Sequence, residues 1–237
     1  MGCEYHLAEL KIALDPNDRR HIVPPPLPPS RKVLDVGCGA GQTLIAAYPE
    51  RVSFGIDFSL EALKLGESLT QDIRFCQAKA EGLPFQSQQF DFVFSRVTLP
   101  LTKIRSALGE IRRVLKPDGG LWMTVHSPSM RWKRAKEGTW KAKCFFVYVA
   151  VNSLLFHFTQ RQFSFFGRYD SFQTEKGITR ALEELGFGGI EIVKNGELFL
   201  VTARTTIPQA SIERAHDRES GELAVAASIN GTSMSAL

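Results

Sequence analysis

The 237-residue sequence has little cysteine and no cysteine cluster. Its four cysteines, Cys3, Cys38, Cys76 and Cys144, lie far apart, with no Cys-x-x-Cys pair and no histidine cluster beside them. Neither a disulfide framework nor a zinc site follows from this spacing. No basic start followed by an apolar run opens the chain, so the sequence predicts no signal peptide. Together these absences predict a cytoplasmic protein without a metal centre.

The chain also lacks a strong charge excess. It has 29 Lys and Arg against 25 Asp and Glu, a formal net charge of +4. A dedicated nucleic-acid-binding protein usually concentrates far more basic charge, so we expect no DNA partner. The hydrophobic share of 43% and the charged share of 23% exclude collagen-like and wholly disordered chains.

Short apolar runs alternate with helix-like segments from residue 31 to residue 204, the predicted main domain. Residues 1–30 before it hold a short amphipathic segment and a polyproline spacer. Residues 205–237 after it form a Ser/Ala/Glu-rich tail without aromatic residues, which we expect to be weakly ordered. The alternation is typical of strand–helix units around a parallel sheet.

The sequence predicts an α/β fold with a doubly wound, seven-stranded, mainly parallel sheet. Asn195-Gly196 is a favoured two-residue turn, so the last two strands form an antiparallel hairpin at the sheet edge. The predicted strands are 32–36, 52–56, 73–77, 90–95, 120–125, 190–194 and 198–204. The predicted helices are 41–48, 60–69, 104–115 and 175–185.

A glycine-rich turn follows the first predicted strand, in the segment Val33–Gly41. Its glycines let a ligand approach the backbone and leave the first helical N–H groups free. A dinucleotide site needs the spacing G-x-G-x-x-G, but its last position is Gln42 here. Asp35 precedes the first glycine by two residues; its carboxylate would repel a pyrophosphate but suits a cationic amine or sulfonium.

This segment resembles the first motif of class I S-adenosylmethionine (SAM)-dependent methyltransferases, and further motifs follow in the family's order. The pattern is nearest to the methyltransferase type 11 group that includes the ubiquinone and menaquinone C-methyltransferases. The resemblance covers residues 32–125 and implies a Rossmann-like fold with SAM as cofactor. The segments that carry it after the glycine turn are Gly55–Ser59, Ala80–Phe85, Phe90–Val93 and Leu108–Gly120.

The resemblance also implies which residues bind the cofactor. Asp57 would accept hydrogen bonds from the ribose hydroxyls, and Phe58 would stack on the adenine. Lys79 stands where the group usually has an acid that accepts from the adenine amino group. A backbone carbonyl near Lys79, the Glu81 carboxylate, or stacking on Phe58 alone could take over that role. The predicted cofactor-binding residues are Asp35, Gly37, Cys38, Gly39, Gly41, Asp57, Phe58, Lys79, Ala80, Glu81, Ser95 and Arg96.

One histidine is placed to act as a general base. His126 directly follows the fifth predicted strand, so it faces the edge of the sheet where ligands bind. Imidazole titrates near neutrality, and a base is needed only when the nucleophile starts protonated. The alternative is a histidine bonded to the neighbouring loop. After the fourth strand the chain lacks both Asn/Asp-Pro-Pro-Tyr/Phe and Pro-Cys, so we expect neither methylation of exocyclic or amide nitrogen nor cysteine-based pyrimidine C5 methylation.

Residues 126–172 are predicted to be an aromatic helical insertion. The apolar run Cys144–Phe158 is shorter than the ~20 residues that a membrane-spanning helix needs. Three interpretations stay open: a lid with an acceptor pocket, a helix buried in a homodimer interface, and a peripheral membrane contact through residues 131–158. The last would make the protein membrane-associated. The predicted pocket residues are Tyr148, His157, Phe166 and Tyr169.

The sequence therefore predicts methyl transfer from SAM to oxygen or carbon of a hydrophobic or aromatic small molecule. A phenol, a quinone precursor, a polyketide or a lipid would fit. Two other hypotheses remain: an RNA methyltransferase, which needs a basic face, and a catalytically silent protein that keeps the fold to bind a partner.

Overall fold

The computed structural model describes residues 2–129, 139–165 and 167–206. The chain divides into two units, Met1–Thr205 and Thr206–Leu237, and the sheet and its helices belong to the first. Phe166, the basic stretch 131–136 and the tail from residue 207 lie outside the described residues.

A seven-stranded sheet forms the centre of the domain, with the strand order β3-β2-β1-β4-β5-β7-β6. The first five strands are parallel, and the last two form an antiparallel hairpin beside β5. This architecture confirms the predicted fold class. The strands are β1 (Val33–Val36), β2 (Ser53–Asp57), β3 (Ile73–Gln77), β4 (Phe90–Arg96), β5 (Leu115–His126), β6 (Phe187–Asn195) and β7 (Leu198–Thr205).

The described residues include six α-helices and one short 3₁₀ helix (Leu99–Leu101) around the sheet. The apolar residues of the fourth helix recur at positions 104, 107, 108 and 111, all fully buried, so one stripe of this helix packs against the sheet. The helices are α1 (Cys3–Leu14), α2 (Gln42–Ala47), α3 (Leu60–Leu69), α4 (Ile104–Val114), α5 (Trp140–Thr159) and α6 (Glu175–Glu184).

Strand β1 is buried on both faces, as expected for a central parallel strand. Leu34 and Val36 belong to one hydrophobic cluster, and Val33 belongs to the other, on the opposite side of the sheet. Asp35 is the single polar residue of this strand. The order of the strands reverses beside β1, between β1 and β4, and ligands bind at such a switch point in open α/β sheets.

The N-terminal segment packs on the domain instead of projecting from it as a spacer. Tyr48 Oη donates a hydrogen bond to the carbonyl of Pro25 at 2.8 Å. Arg51 Nη1 donates to the carbonyl of Leu27 at 3.5 Å. The polyproline stretch therefore runs along the surface of the domain. Helix α1, which precedes it in the chain, packs against α2 and α3.

Helix α5 is longer than its apolar run indicates. It extends over 20 residues and begins where Thr139 Oγ1 accepts a hydrogen bond from Ala142 N. Polar residues of its first turn join the helix, which is why the length of the apolar run underestimated it. Among the described residues it is the one helix long and apolar enough to cross a membrane, so the prediction that this segment is too short was wrong.

Candidate active site

The glycine turn is clamped to the end of strand β2. Gly37 and Gly39 have φ angles of +83° and +56°, a backbone conformation that favours glycine. The N–H groups of Gly37 and Cys38 both donate to the carbonyl of Ile56, at 2.8 and 2.9 Å. Gly39 N donates to Asp57 Oδ2 at 2.9 Å. Hydrogen bonds to Ile56 and Asp57, at the end of β2, therefore fix the shape of the turn.

Two of the three glycines also make room for neighbouring side chains. A Cβ atom at Gly37 would lie 2.1 Å from Thr98 Oγ1, at the end of strand β4. A Cβ atom at Gly41 would lie 2.8 Å from Ile73 Cδ1. A larger residue at either position would have to displace a neighbouring side chain and would also be strained by the positive φ angle.

Helix α1 lies across the glycine turn. Gln42 Nε2 donates to His6 Nδ1 at 2.8 Å, and Gln42 Oε1 accepts from Ala40 N at 3.1 Å. Burial lowers the pKa of His6, which favours the neutral ring that accepts this bond. Glu9 and Arg96 form an ion pair at 2.5 Å that attaches α1 to the end of β4. The α1 residues His6 and Glu9 were not among the residues predicted from the sequence.

A cavity of about 750 Å³ opens at the carboxyl ends of the central strands. Its lining includes Asp35, the glycine turn, Arg96, Thr98 and His126, together with part of α1 and the β6–β7 turn. The fold thus brings the first predicted motif, the end of β4 and the candidate base to one cavity.

Asp35 is the most unusual charge at this cavity. Its side chain is buried, and its Oδ1 atom has no hydrogen-bond partner among the described residues. Burial raises the pKa of this carboxyl well above its usual range, and the nearby Asp57 charge raises it further. An unpaired buried carboxylate is costly. A cationic ligand in the cavity would offset that cost.

The predicted ribose and adenine residues lie at the ends of β2 and β3, outside the lining of this cavity. Asp57 Oδ1 accepts from Ser59 N at 2.9 Å, and Phe58 is 75% exposed, so its ring is accessible for stacking. Lys79 is exposed. Glu81 Oε1 already accepts from Lys103 N at 2.9 Å. A carboxylate has about four lone-pair sites, so the Glu81 carboxylate, a backbone carbonyl and stacking on Phe58 all stay open as contacts for an adenine.

Three other predicted cofactor residues have structural contacts. Ser95 is fully buried, and its Oγ donates to the carbonyl of Val36 at 2.7 Å, joining β4 to β1. The Cys38 thiol is buried, which raises its pKa, and its Sγ donates to the carbonyl of Gly39 at 3.5 Å. Ala80 is buried after the end of β3.

His126 and the predicted pocket residues are separated in the structure. His126 lines the cavity, and its carbonyl accepts from Gln173 N at 2.7 Å. His157 Nδ1 lies 2.6 Å from Thr174 Oγ1, at the start of α6. Tyr148 Oη donates to the carbonyl of residue 168, and the Tyr169 carbonyl accepts from residue 152. These contacts hold α5 on the domain, and none of these three residues lines the cavity.

Comparisons with known proteins agree with this geometry. A family model described as "Methyltransferase domain" matches residues 28–183. The uncharacterized methyltransferase YcgJ of Bacillus subtilis is 35% identical over 102 residues, 40% of each chain. A demethylmenaquinone methyltransferase of Staphylococcus carnosus is 40% identical over 98 residues, 37% of this chain and 40% of that protein. The chain thus matches about two fifths of the length of these relatives.

Solved structures show the same fold. The crystal structure of YcgJ has a TM-score of 0.54 and 16% identity, covering 85% of this chain and 100% of that one. A SAM-dependent methyltransferase from Methanosarcina mazei has a TM-score of 0.53 and 22% identity, covering 76% and 95%. The predicted cofactor agrees with that description. Because the family model spans well over half of the sequence, the chain belongs to the methyltransferase-domain family and has the fold of SAM-dependent methyltransferases.

Proposed function

We propose that the protein transfers the methyl group of SAM to an oxygen or carbon atom of a hydrophobic or aromatic small molecule. The observation that carries the choice of SAM as donor is Asp35, a buried carboxylate with an unsatisfied oxygen at the cavity. A hydrophobic or aromatic acceptor is supported by apolar side chains in the cavity lining, Ile22, Leu101 and Leu198. The name of the demethylmenaquinone methyltransferase relative points to the same class of acceptor.

The residues present fit this cofactor. Asp35 would hold its cationic part, because a carboxylate in a low-dielectric site attracts a positive charge strongly. The backbone at Gly37 and Gly39 allows close approach, Asp57 retains lone pairs for hydroxyl groups, and Phe58 offers an exposed ring. When bound, SAM supplies an electrophilic methyl group on a positively charged sulfur.

The chain's own contribution is mainly alignment. Positioning the two reactants can supply up to ~7–11 kcal/mol of the barrier. His126 would accept the proton of a phenol or an activated carbon acid, and Arg96 would keep α1 closed over the cavity through Glu9. Closure by α1 excludes water, which strengthens the interaction between Asp35 and a cation.

We expect His126→Ala to lower methyl transfer at least about a hundredfold, because general-base catalysis typically contributes that much. The assay follows a tritiated methyl group from SAM into a panel of phenols and hydroquinones. The affinity for SAM, measured by calorimetry, stays close to that of the wild type. His157→Ala is the matched control, because His157 contacts Thr174 away from the cavity. Full turnover by His126→Ala, or an equal loss in both variants, contradicts the assignment.

A further inference from the structure

Helix α5 has two opposite apolar faces. The inner face is buried against the domain and includes Val149 and Phe156. On the opposite side of the helix, exposed apolar side chains recur at alternating spacings of four and three residues. We name this side the α5 outer face. Its members, all exposed, are Trp140, Cys144, Val147, Val151, Leu154 and Phe158.

The α5 outer face is a concentrated apolar surface. Trp140 is 71% exposed and Phe158 is 68% exposed, at the two ends of the helix. Phe163 and Phe165, in the segment that follows, are exposed as well, and their rings contact that of Tyr148. Exposed apolar residues are common singly, but a contiguous patch of this kind marks an interaction site.

Positive charge surrounds this surface. Lys141 and Lys143 are exposed at its N-terminal end, and Arg161 is exposed just beyond its C-terminal end. Residues 139–165 contain no Asp or Glu. Eight of the 29 basic residues and one of the 25 acidic residues lie between positions 131 and 168, so the rest of the chain has three more acidic than basic residues. The net positive charge of the sequence therefore falls within the segment 131–168, and its described cations, at positions 141, 143, 161 and 168, lie within or just after α5.

We propose that the α5 outer face binds the surface of an anionic lipid bilayer, with α5 lying parallel to that surface. An apolar helix face inserts at the boundary of headgroups and acyl chains, and cations beside it attract anionic headgroups. Trp140 suits the interface because its ring is apolar and its N–H can reach water or headgroups.

A second copy of the chain is a poorer partner for the same face. Pairing of two α5 helices, parallel or antiparallel, would place Lys141 and Lys143 against cations of the other copy. The face offers no carboxylate to neutralise them, and juxtaposed like charges oppose association. Charge complementarity therefore favours an anionic lipid surface.

Contacts of the inner face keep α5 on the domain. Asn152 Nδ2 donates to the carbonyl of Tyr169 at 3.1 Å. Ser153 Oγ accepts from Phe172 N at 2.9 Å. A helix that crossed the bilayer would have to give up these bonds, and hydrocarbon offers no replacement partners. The helix can instead insert its outer face and keep its inner face bonded.

Sedimentation with vesicles tests the proposal. We expect the full chain to sediment with equimolar phosphatidylcholine–phosphatidylserine vesicles, not with phosphatidylcholine alone, and less at high salt. Leu154→Asp should lower the bound fraction at least about tenfold, since it places a negative charge on the face. Val193→Asp is the matched control, because Val193 is equally exposed on β6, and its binding should equal that of the wild type.

The charged residues are tested in the same way. Lys141→Glu combined with Lys143→Glu should weaken binding to the anionic vesicles by a similar factor. Lys11→Glu combined with Lys64→Glu, at exposed lysines of α1 and α3, makes the same change of net charge and should have no effect. Equal effects of both charge changes would show only a general attraction of the whole chain and would overturn the assignment to α5.

A fluorescent label gives a second readout, which places no new charge on the α5 outer face. An environment-sensitive probe on Cys144, in a Cys3→Ser background, should shift its emission to the blue when anionic vesicles are added. The same probe on Cys3, in a Cys144→Ser background, should not shift.

Absence of the shift at Cys144, or wild-type binding by Leu154→Asp, overturns the proposal. Light scattering covers the remaining outcome. If the wild type does not bind vesicles but forms a dimer, and Leu154→Asp dissociates that dimer, the face is an interface between copies. None of these measurements requires SAM, so their failure is separate from failure of the proposed function.

Discussion

Substituting Gly39 by valine is expected to lower the affinity for SAM at least about a hundredfold, because each ~1.4 kcal/mol lost is a factor of ten. The φ angle of Gly39 is +56°, where a residue with a Cβ atom loses about 1–2 kcal/mol. That Cβ would also lie 3.0 Å from both His6 Nδ1 and Gln42 Oε1. The substitution therefore disturbs the turn and α1 together. Isothermal titration calorimetry with SAM measures the loss.

Gly82→Val is the matched control for this variant. Gly82 follows β3, and no atom lies within 4 Å of a Cβ built on it. Its affinity should change by no more than about twofold, as for an ordinary surface substitution. Circular dichroism shows whether each variant folds, and Gly39→Ala provides a milder change if the valine variant does not. Tight binding of SAM by folded Gly39→Val would refute the assigned cofactor site.

Asp35→Asn is expected to stabilise the protein without ligand and to weaken SAM binding about tenfold to a hundredfold. A hydrogen bond to a charged group contributes ~1.5–3 kcal/mol, and asparagine removes the charge that a cation would meet. In the absence of ligand the folded protein must either bury this charge with Oδ1 unsatisfied or take up a proton to neutralise it. Both lower stability above the ordinary aspartate pKa, so the substitution raises the melting temperature at neutral pH. Calorimetry and thermal melting measure the two effects, which have opposite signs.

The pH dependence follows from the raised pKa of Asp35 in the folded state. Between the ordinary aspartate pKa, ~3.9, and the folded pKa, the folded protein binds more protons than the unfolded chain, so the contribution of Asp35 to stability falls as pH rises. SAM affinity rises over the same interval, because the carboxylate form attracts the cation. Asp35→Asn should remove both trends, whereas Asp118→Asn, at an exposed site, should leave them in place. A variant at Asp35 with unchanged affinity and unchanged pH dependence would contradict the role of this carboxylate.

The strands and the glycine turn were predictable because their signals are local. Buried parallel strands appear as short apolar runs, and the Asn195-Gly196 turn marks the hairpin directly. Asp35 could be singled out because a carboxylate inside such a run has no bland explanation. These signals placed the first motif and His126 at one edge of the sheet, where the structure has its cavity.

Contacts between distant segments were not predictable. Gln42 replaces the third glycine of the dinucleotide pattern, but its partner His6 lies 36 residues away, and nothing local connects them. The aromatic content of residues 140–172 indicated an apolar surface without indicating where it lies. The bonds of Asn152 and His157, which place α5 on the domain away from the cavity lining, depend on the packed structure.

A crystal structure of the protein grown with SAM tests the central claim most directly. We expect electron density for the donor between the glycine turn and α1, with its positively charged groups turned toward the Asp35 carboxylate and its methyl group facing the cavity that His126 lines. Clear density for SAM at any other place, or an empty crevice beside Gly37 and Gly39 at saturating SAM, would contradict the account.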